Sequence, residues 1–83
     1  MYYVYIIYSE RADRYYIGHT NDIVRRIEEH NHPIEGKKFT SKYLPWELKL
    51  SFGVSENRGD AIKVERFIKN QKKEIRETLA LLN

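Results

Sequence analysis

The stretch that most restricts what this chain can fold into is YYVYIIYS, residues 2 to 9. Aromatic and β-branched side chains fill it and occupy both of the faces that alternate along an extended chain. Such a run is typical of a strand that is covered on both sides of its sheet, because a half-solvated strand alternates apolar with polar residues. We therefore expect a small sheet with this strand covered on both faces by flanking helices.

Turn signals and periodicity predict the next two elements. The polar SERADR closes a hairpin into a second strand, YYIGHT. Thr20 and Asn21 are both good N-cap residues, so a helix is expected from about residue 22 to His30. Pro33 prevents the helix from continuing further.

The second half of the chain predicts one more strand and two helices. After the loop HPIEGKKFTSKYLP, the stretch WELKLSFGV alternates apolar with polar residues, which indicates a half-exposed strand. Its expected inner residues are Trp46, Leu48, Leu50 and Phe52. Asn57 and Asp60 resemble a capping box that opens a helix through about Lys69, and a last helical stretch runs to Leu82. The expected fold is α+β, with a three-stranded antiparallel sheet and the order ββαβαα.

Length and composition narrow the classes of function. A chain of 83 residues is expected to form one domain over residues 1–83 that buries roughly 60 to 65% of its unfolded surface. A deep cleft is therefore not expected, and an open site suits a polymeric substrate better than a small metabolite. The absence of cysteine excludes a disulfide framework and a thiolate metal site. Without a leader or an apolar run of about 18 residues, we expect a cytoplasmic monomer and no membrane association.

Basic residues surround aromatic ones in the central loop, and further lysines follow later in the chain. The formal charge of +3, from 15 Lys and Arg against 12 Asp and Glu, does not by itself indicate a polyanionic partner. Lysines flank the aromatic residues of the central loop, a combination found in nucleic-acid grooves, although a solvated rim around core aromatics explains them equally well. The candidate nucleic-acid contacts are Lys37, Lys38, Lys42, Lys69 and Lys72.

Helical geometry sorts the residues of the first helix. At about 100° per residue, Ile23, Val24 and Ile27 fall within one arc. Arg26 and His30 lie together at the near edge of this arc, whereas Arg25 points away from it. We therefore expect Arg26 to be held against the fold and Arg25 to lie in solvent.

The same count places Glu65 at the border of a buried stripe that contains Ala61, Val64 and Ile68. A partly desolvated carboxylate needs a partner. Two partners are possible, a salt bridge to an arginine such as Arg26 or a bound cation, and structural ion pairs commonly imitate functional sites. On charge alone, the salt bridge is the preferred interpretation.

These residues, in this order and spacing, resemble the GIY-YIG nucleases over nearly the whole chain. The matching pieces are the triplet YVY, the triplet YIG, an arginine eight residues after the glycine of YIG, and a glutamate on a later helix. They stand at Tyr3 to Tyr5, Tyr16 to Gly18, Arg26 and Glu65. The segment FTSKYLPWELKL is also similar to one in the junction-cleaving members of the family.

The resemblance implies phosphodiester hydrolysis with one divalent ion, Mg²⁺ or Mn²⁺. Tyr5 and Tyr16 would be the active-surface tyrosines, one of them the general base or the group that positions water. Arg26 would stabilise the transition-state charge and Glu65 would hold the metal. His30 matches a position that is often histidine in the family, Gly18 has a structural role, and His19 would help to lower the tyrosine pKa.

Ordinary chemistry adds two conditions to this assignment. A free tyrosine has a pKa of about 10, so a tyrosine base needs nearby cations to lower that value. One carboxylate binds Mg²⁺ weakly, because the ion keeps most of its waters and expects substrate phosphate to complete its shell. The metal is therefore expected to bind together with the substrate.

The sequence departs from the family pattern at three points. Tyr3 replaces the first glycine, the asparagine found after the metal-binding glutamate in many members has no clear match, and we expect no DNA-binding domain to follow. We expect low intrinsic affinity for DNA and a partner protein that supplies targeting. The expected function is an endonuclease of DNA repair that acts on branched, flapped or distorted DNA. The alternative is a non-catalytic module that binds nucleic acid or protein on the same scaffold.

Overall fold

In the computed structural model, which describes residues 1–32 and 43–81, one antiparallel sheet has the strand order β2-β1-β3, and helices flank it. The elements in chain order are β1 (Tyr2–Ser9), β2 (Arg14–Thr20), α1 (Ile23–Asn31), β3 (Trp46–Ser55), α2 (Arg58–Lys69) and α3 (Lys72–Ala80). This arrangement confirms the α+β class, the three-stranded sheet and the order ββαβαα.

The core lies on both faces of β1, as its two-sided apolar pattern predicts. On one face, called the α2 face, Val4 and Ile6 pack with Ile17 and with residues of α2 and α3. On the other face, called the α1 face, Tyr5 and Ile7 pack with residues of α1. Because β1 is the middle strand, side chains from both faces are fixed by the same backbone.

The first helix begins one residue later than expected. Asp22 is the N-cap, and its carboxylate accepts a hydrogen bond from the Arg25 backbone N–H at 3.1 Å. Thr20 does not cap the helix, because it ends β2 and its hydroxyl accepts from the Asp22 N–H at 3.1 Å. Val24 falls within the predicted arc but is 74% exposed. The stripe of α1 that packs on the sheet is narrower than the predicted arc and follows Ile23 and Ile27.

The third strand changes face partway along its length. Ile6 pairs with Leu50 but Ile7 pairs with Leu48, so Lys49 is an extra residue at a register shift. A bulge of this kind moves the following side chains to the opposite face. The expectation that one face carries all four apolar residues is therefore wrong. Trp46 belongs to the α1 face, whereas Leu50 and Phe52 lie opposite Ile6 and Val4 on the α2 face.

The second helix is capped at the predicted residue but through a different arrangement. The Asn57 side chain accepts from the Gly59 N–H at 2.7 Å. Asp60 instead accepts from the Ser55 hydroxyl at 2.8 Å, and that hydroxyl accepts from the Asn57 N–H at 3.0 Å. The helix ends at Lys69 as predicted, while Leu82 lies outside the described residues. None of the helices described is long and apolar enough to cross a membrane.

Candidate active site

The site begins with the packing of Tyr5 against Gly18. These residues lie opposite each other in the pairing of β1 and β2. A Cβ added to Gly18 would lie 2.5 Å from the Tyr5 hydroxyl oxygen and 2.7 Å from Cζ, too close for any side chain. The tyrosine ring therefore lies across the glycine backbone, which gives Gly18 the structural role that the motif implies.

A chain of hydrogen bonds runs through the Tyr5 hydroxyl. Arg26 Nε donates to Tyr5 Oη at 3.3 Å, and Tyr5 Oη lies 3.0 Å from His30 Nε2. Arg26 has no acceptor atom on its guanidinium, so the tyrosine proton must be directed to His30 Nε2. Tyr16 packs on the same histidine, with ring centroids 5.0 Å apart in an edge-on arrangement. We call Tyr5, Tyr16, Arg26 and His30 the aromatic half of the site.

Burial is the main cause of the shifted pKa values of Tyr5 and His30 in the aromatic half. It raises the pKa of Tyr5 to about 12, although the hydrogen bond and charge of Arg26 act in the opposite direction. Burial and the Arg26 charge lower the pKa of His30, so the histidine is neutral at pH 7 and able to accept the Tyr5 proton. The expectation of a lowered tyrosine pKa is thus wrong for Tyr5. Its pKa is not lowered by His19, which binds Glu65 instead.

The two adjacent arginines of α1 are sorted as helical geometry predicts. Arg26 is half-buried and also donates to Glu29 at 3.2 Å. Arg25 is exposed and donates to the Asn21 side chain at 3.0 Å. Arg26 alone of this pair therefore reaches the tyrosine.

On the α2 face, both carboxylate oxygens of Glu65 contact cationic or donor groups. His19 Nδ1 lies 2.8 Å from Oε1, and Lys69 Nζ lies 3.0 Å from Oε2. Burial alone would raise the pKa of Glu65, but the hydrogen bonds from His19 and Lys69 hold it below its usual value. The preferred salt bridge to Arg26 is not the one formed. We call His19, Glu65 and Lys69 the charged half of the site.

Arg58 completes the charged half, and the sequence analysis did not single it out. Its Nε donates to His19 Nε2 at 3.4 Å, which leaves His19 Nδ1 to donate its proton to Glu65. A signal was present, because Arg58 precedes Glu65 by seven residues and thus lies on the same side of the helix.

The two halves lie on opposite faces of the sheet. Tyr5 belongs to the α1 face, whereas Glu65 contacts His19 on the α2 face. Tyr16 and Lys69 line one groove of about 890 Å³ between β2 and the junction of α2 with α3. The groove therefore contains one residue of each half.

The same groove is lined by several basic residues. Lys69 and Lys72, two of the candidate nucleic-acid contacts, line it together with three further cations. Those three are Arg14, Lys73 and Arg76. The helical spacing of Lys72, Lys73 and Arg76 is a signal that would have placed them on one side of α3. Lys37, Lys38 and Lys42 lie outside the described residues.

A divalent ion fits this site on one condition. Among residues 1–32 and 43–81, no group of three or more His, Asp or Glu side chains is placed to hold a metal. A single ionised carboxylate suits Mg²⁺, which keeps most of its waters. The ammonium of Lys69 lies 3.0 Å from Glu65 Oε2, where a divalent ion would bind. The condition is that Lys69 withdraws from that oxygen.

Comparison with known proteins gives the family of the chain. The sequence profile of the GIY-YIG catalytic domain matches residues 1–79. The small α+β fold is therefore that of a nuclease family. The chain belongs to the GIY-YIG family.

Three relatives show how the similarity is distributed. A UPF0213 protein of Haloquadratum walsbyi is 38% identical over 94% of this chain and 84% of its own length. One of Limosilactobacillus reuteri is 33% identical over 96% of this chain and 82% of its own length. A structure-specific endonuclease subunit SLX1 homologue of Giardia intestinalis is 43% identical over 69% of this chain, which corresponds to 16% of that protein. No solved structure shows significant similarity to the chain.

Proposed function

We propose that this protein is a metal-dependent endonuclease that hydrolyses DNA phosphodiester bonds, with branched, flapped or distorted DNA as its substrate. The observation that carries the proposal is the hydrogen-bond chain from Arg26 through Tyr5 to His30, next to Tyr16. The arginine and the hydroxyl of this chain, together with the ionised carboxylate of Glu65, are suited to charge stabilisation at a phosphate.

The two tyrosines take different roles in this proposal. Tyr5 is 0% exposed and has a raised pKa, so it is a positioning residue that orients Arg26 and His30. Tyr16 is half-buried and lines the groove, so its hydroxyl is the one that reaches the substrate and positions the attacking water. Neutral His30 packs on Tyr16 and fixes the direction of its ring.

Arg26 and Glu65 contribute to this proposal through their own charges. The Arg26 side chain is 41% exposed, so its outer nitrogens can reach a phosphate while Nε stays on Tyr5. The planar guanidinium then stabilises the negative charge that grows on the phosphate. Glu65 would hold one Mg²⁺ or Mn²⁺ ion, which neutralises the leaving oxygen when bound.

One relative supports the proposal of a structured substrate and of a partner. The Giardia protein is described as a subunit of a structure-specific endonuclease. By analogy, we propose a structured DNA substrate, a role in DNA repair and a partner protein that supplies targeting. We further propose that the protein acts in the cytoplasm and is a monomer when no partner is bound.

A second function is favoured by one observation. The two carboxylate oxygens of Glu65 contact His19 and Lys69. A carboxylate with a purely structural role would make the same kind of contacts. The alternative is therefore a module that binds nucleic acid or protein without cleaving it.

The experiment that separates the two functions measures cleavage and binding together. Purified protein is incubated with labelled duplex, single-stranded, flap and four-way-junction DNA in Mg²⁺ or Mn²⁺. We expect cleavage of a branched or flapped substrate by the wild type and by Tyr2→Phe, a control on the same sheet. Tyr16→Phe should lose roughly 10²-fold or more, the scale of a misplaced catalytic proton donor or acceptor. Binding without cleavage in either metal would favour the binding module.

A further inference from the structure

The charged half of the site contains a residue that stands where a metal ion would bind. Lys69 Nζ lies 3.0 Å from Glu65 Oε2, and Lys69 also lines the basic groove. We infer that Lys69 is an exchangeable counter-cation, which releases Glu65 to a divalent ion when a nucleic-acid phosphate enters the groove. This inference rests on the proposed function and deepens it.

The two partners of Glu65 differ in how firmly they are held. His19 is 20% exposed in its side chain and is held from its other nitrogen by Arg58. The Lys69 side chain is 46% exposed, and its flexible stem carries a compact ammonium that needs no fixed direction of approach. Lys69 is therefore the partner that can leave at low cost, while His19 stays to orient the carboxylate.

The groove supplies a reason for Lys69 to leave. Among the residues that the structure describes, its lining has five cations against one carboxylate, Asp13, and that carboxylate is already paired with Arg76. A phosphate in the groove brings negative charge close to the ammonium of Lys69, together with that of Lys72. Because each lysine offers a rotatable donor, Lys69 can exchange a carboxylate oxygen for a phosphate oxygen without moving its helix.

The exchange couples two binding events. In the free protein, the ammonium of Lys69 competes with a divalent ion for Glu65. With a nucleic-acid strand in the groove, the competition is relieved, so the metal binds more tightly. By linkage, the metal must also tighten the binding of the strand by the same factor. The site would thus become ready for hydrolysis only on its substrate.

The test measures metal binding and does not depend on cleavage. Free Mn²⁺ is counted by electron paramagnetic resonance during titration, with and without a single-stranded decathymidylate. All proteins carry Arg26→Ala so that the oligonucleotide stays intact. Lys69→Met is compared with Lys63→Met, which removes an equal charge from an exposed position on the same helix. Glu65→Gln defines the background, since it removes the ligand.

We expect Lys69→Met to bind Mn²⁺ about two- to fivefold more tightly than Lys63→Met without DNA, the range for losing one partly exposed ion pair. The oligonucleotide should then tighten Mn²⁺ binding less in Lys69→Met than in Lys63→Met. Equal Mn²⁺ affinity in the two variants would overturn the inference, and so would an unchanged effect of the oligonucleotide. If Glu65→Gln binds Mn²⁺ as well as the Arg26→Ala parent does, the metal assignment fails together with the inference.

Discussion

The aromatic half and the charged half of the site differ in burial and in charge. The aromatic half centres on a hydroxyl that is 0% exposed and has a hydrogen-bond partner on each side. The charged half centres on an ionised carboxylate with one partner 20% exposed and another 46% exposed. Burial holds the residues of the aromatic half in one orientation, and partial exposure leaves the charged half free to exchange a partner.

The energies of the two halves explain this difference. A buried hydroxyl that loses its partner costs about 1 to 3 kcal/mol, which holds the Tyr5 network in one arrangement. A partly exposed ion pair stabilises by no more than about 1 kcal/mol, so Lys69 can leave Glu65 without disturbing the fold. Variants of the first half should change geometry, and variants of the second should change the response to metal.

The largest expected effect is at Arg26. Arg26→Ala should lower cleavage by roughly 10²- to 10³-fold or more, because it removes the cation that stabilises the transition state. The fold should persist, since Tyr5 keeps its bond to His30. Arg25→Ala should keep cleavage and at most weaken DNA binding. Rates measured for the two variants on one flap substrate test this, and equal losses would contradict the assignment.

The next effect concerns Glu65. Glu65→Gln should stay folded, bind DNA with near-normal affinity and lose Mg²⁺-dependent cleavage. Its cost in stability should not exceed about 1 kcal/mol, because the Lys69 left behind can be solvated. Amide shifts at residues 61 to 69 are followed while Mg²⁺ is added to wild type and variant with DNA present. Metal-dependent shifts of equal size in both proteins would show that Glu65 is not the ligand.

A third prediction concerns the stability of the aromatic half at high pH. The folded pKa of Tyr5, about 12, lies above the unfolded value of 10.0. The stability that this difference provides is fully present below pH 10 and is lost as the pH rises towards 12. Between pH 9 and 11 the loss due to Tyr5 should be on the order of 1 kcal/mol.

Urea unfolding at the two pH values is the measurement for Tyr5. Tyr5→Phe should show a smaller fall in stability between pH 9 and 11 than wild type, and Tyr2→Phe should behave as wild type. If Tyr5→Phe falls as steeply as the control, the hydroxyl is not held protonated by its surroundings.

The smallest effect concerns three lysines of the central loop. If Lys37, Lys38 and Lys42 each neutralise a phosphate, replacing all three with Ala should reduce the slope of log affinity against log salt by about 2 to 3. The control replaces Arg11, Lys63 and Arg66 with Ala. These three residues are exposed, and replacing them removes the same total charge. The same reduction in both triple variants would mean that net charge alone is responsible.

Features that depend on local geometry could be predicted from the sequence. The two-sided apolar run of β1 predicted a strand covered on both faces, and the helical period separated Arg26 from Arg25. Both predictions hold because periodicity within one element is fixed by the backbone of that element. The resemblance to the family motif extended the predictions to residues that are distant from one another in sequence.

Features that depend on how elements pair could not be predicted. The partner of Glu65 is His19 because the β1–β2 register turns that residue towards α2, and no pattern in either segment reports the register. Lys49 is likewise an extra residue in the pairing of β3 with β1. The sequence of the third strand still alternates apolar with polar residues, but the side chains on either side of Lys49 lie on different faces of the sheet. The raised pKa of Tyr5 follows from full burial, which is a property of the assembled core.

Gly18 has a consequence for anyone who wishes to transplant this centre into another protein. The glycine leaves a gap in the side-chain layer of the edge strand, and the ring of the tyrosine on the inner strand fills that gap. A recipient scaffold would need an edge strand, a glycine in it and an aromatic hydroxyl directly opposite on the neighbouring strand. Grafting the polar residues alone would leave a side chain where the tyrosine ring has to lie, so the minimal portable unit is a hairpin.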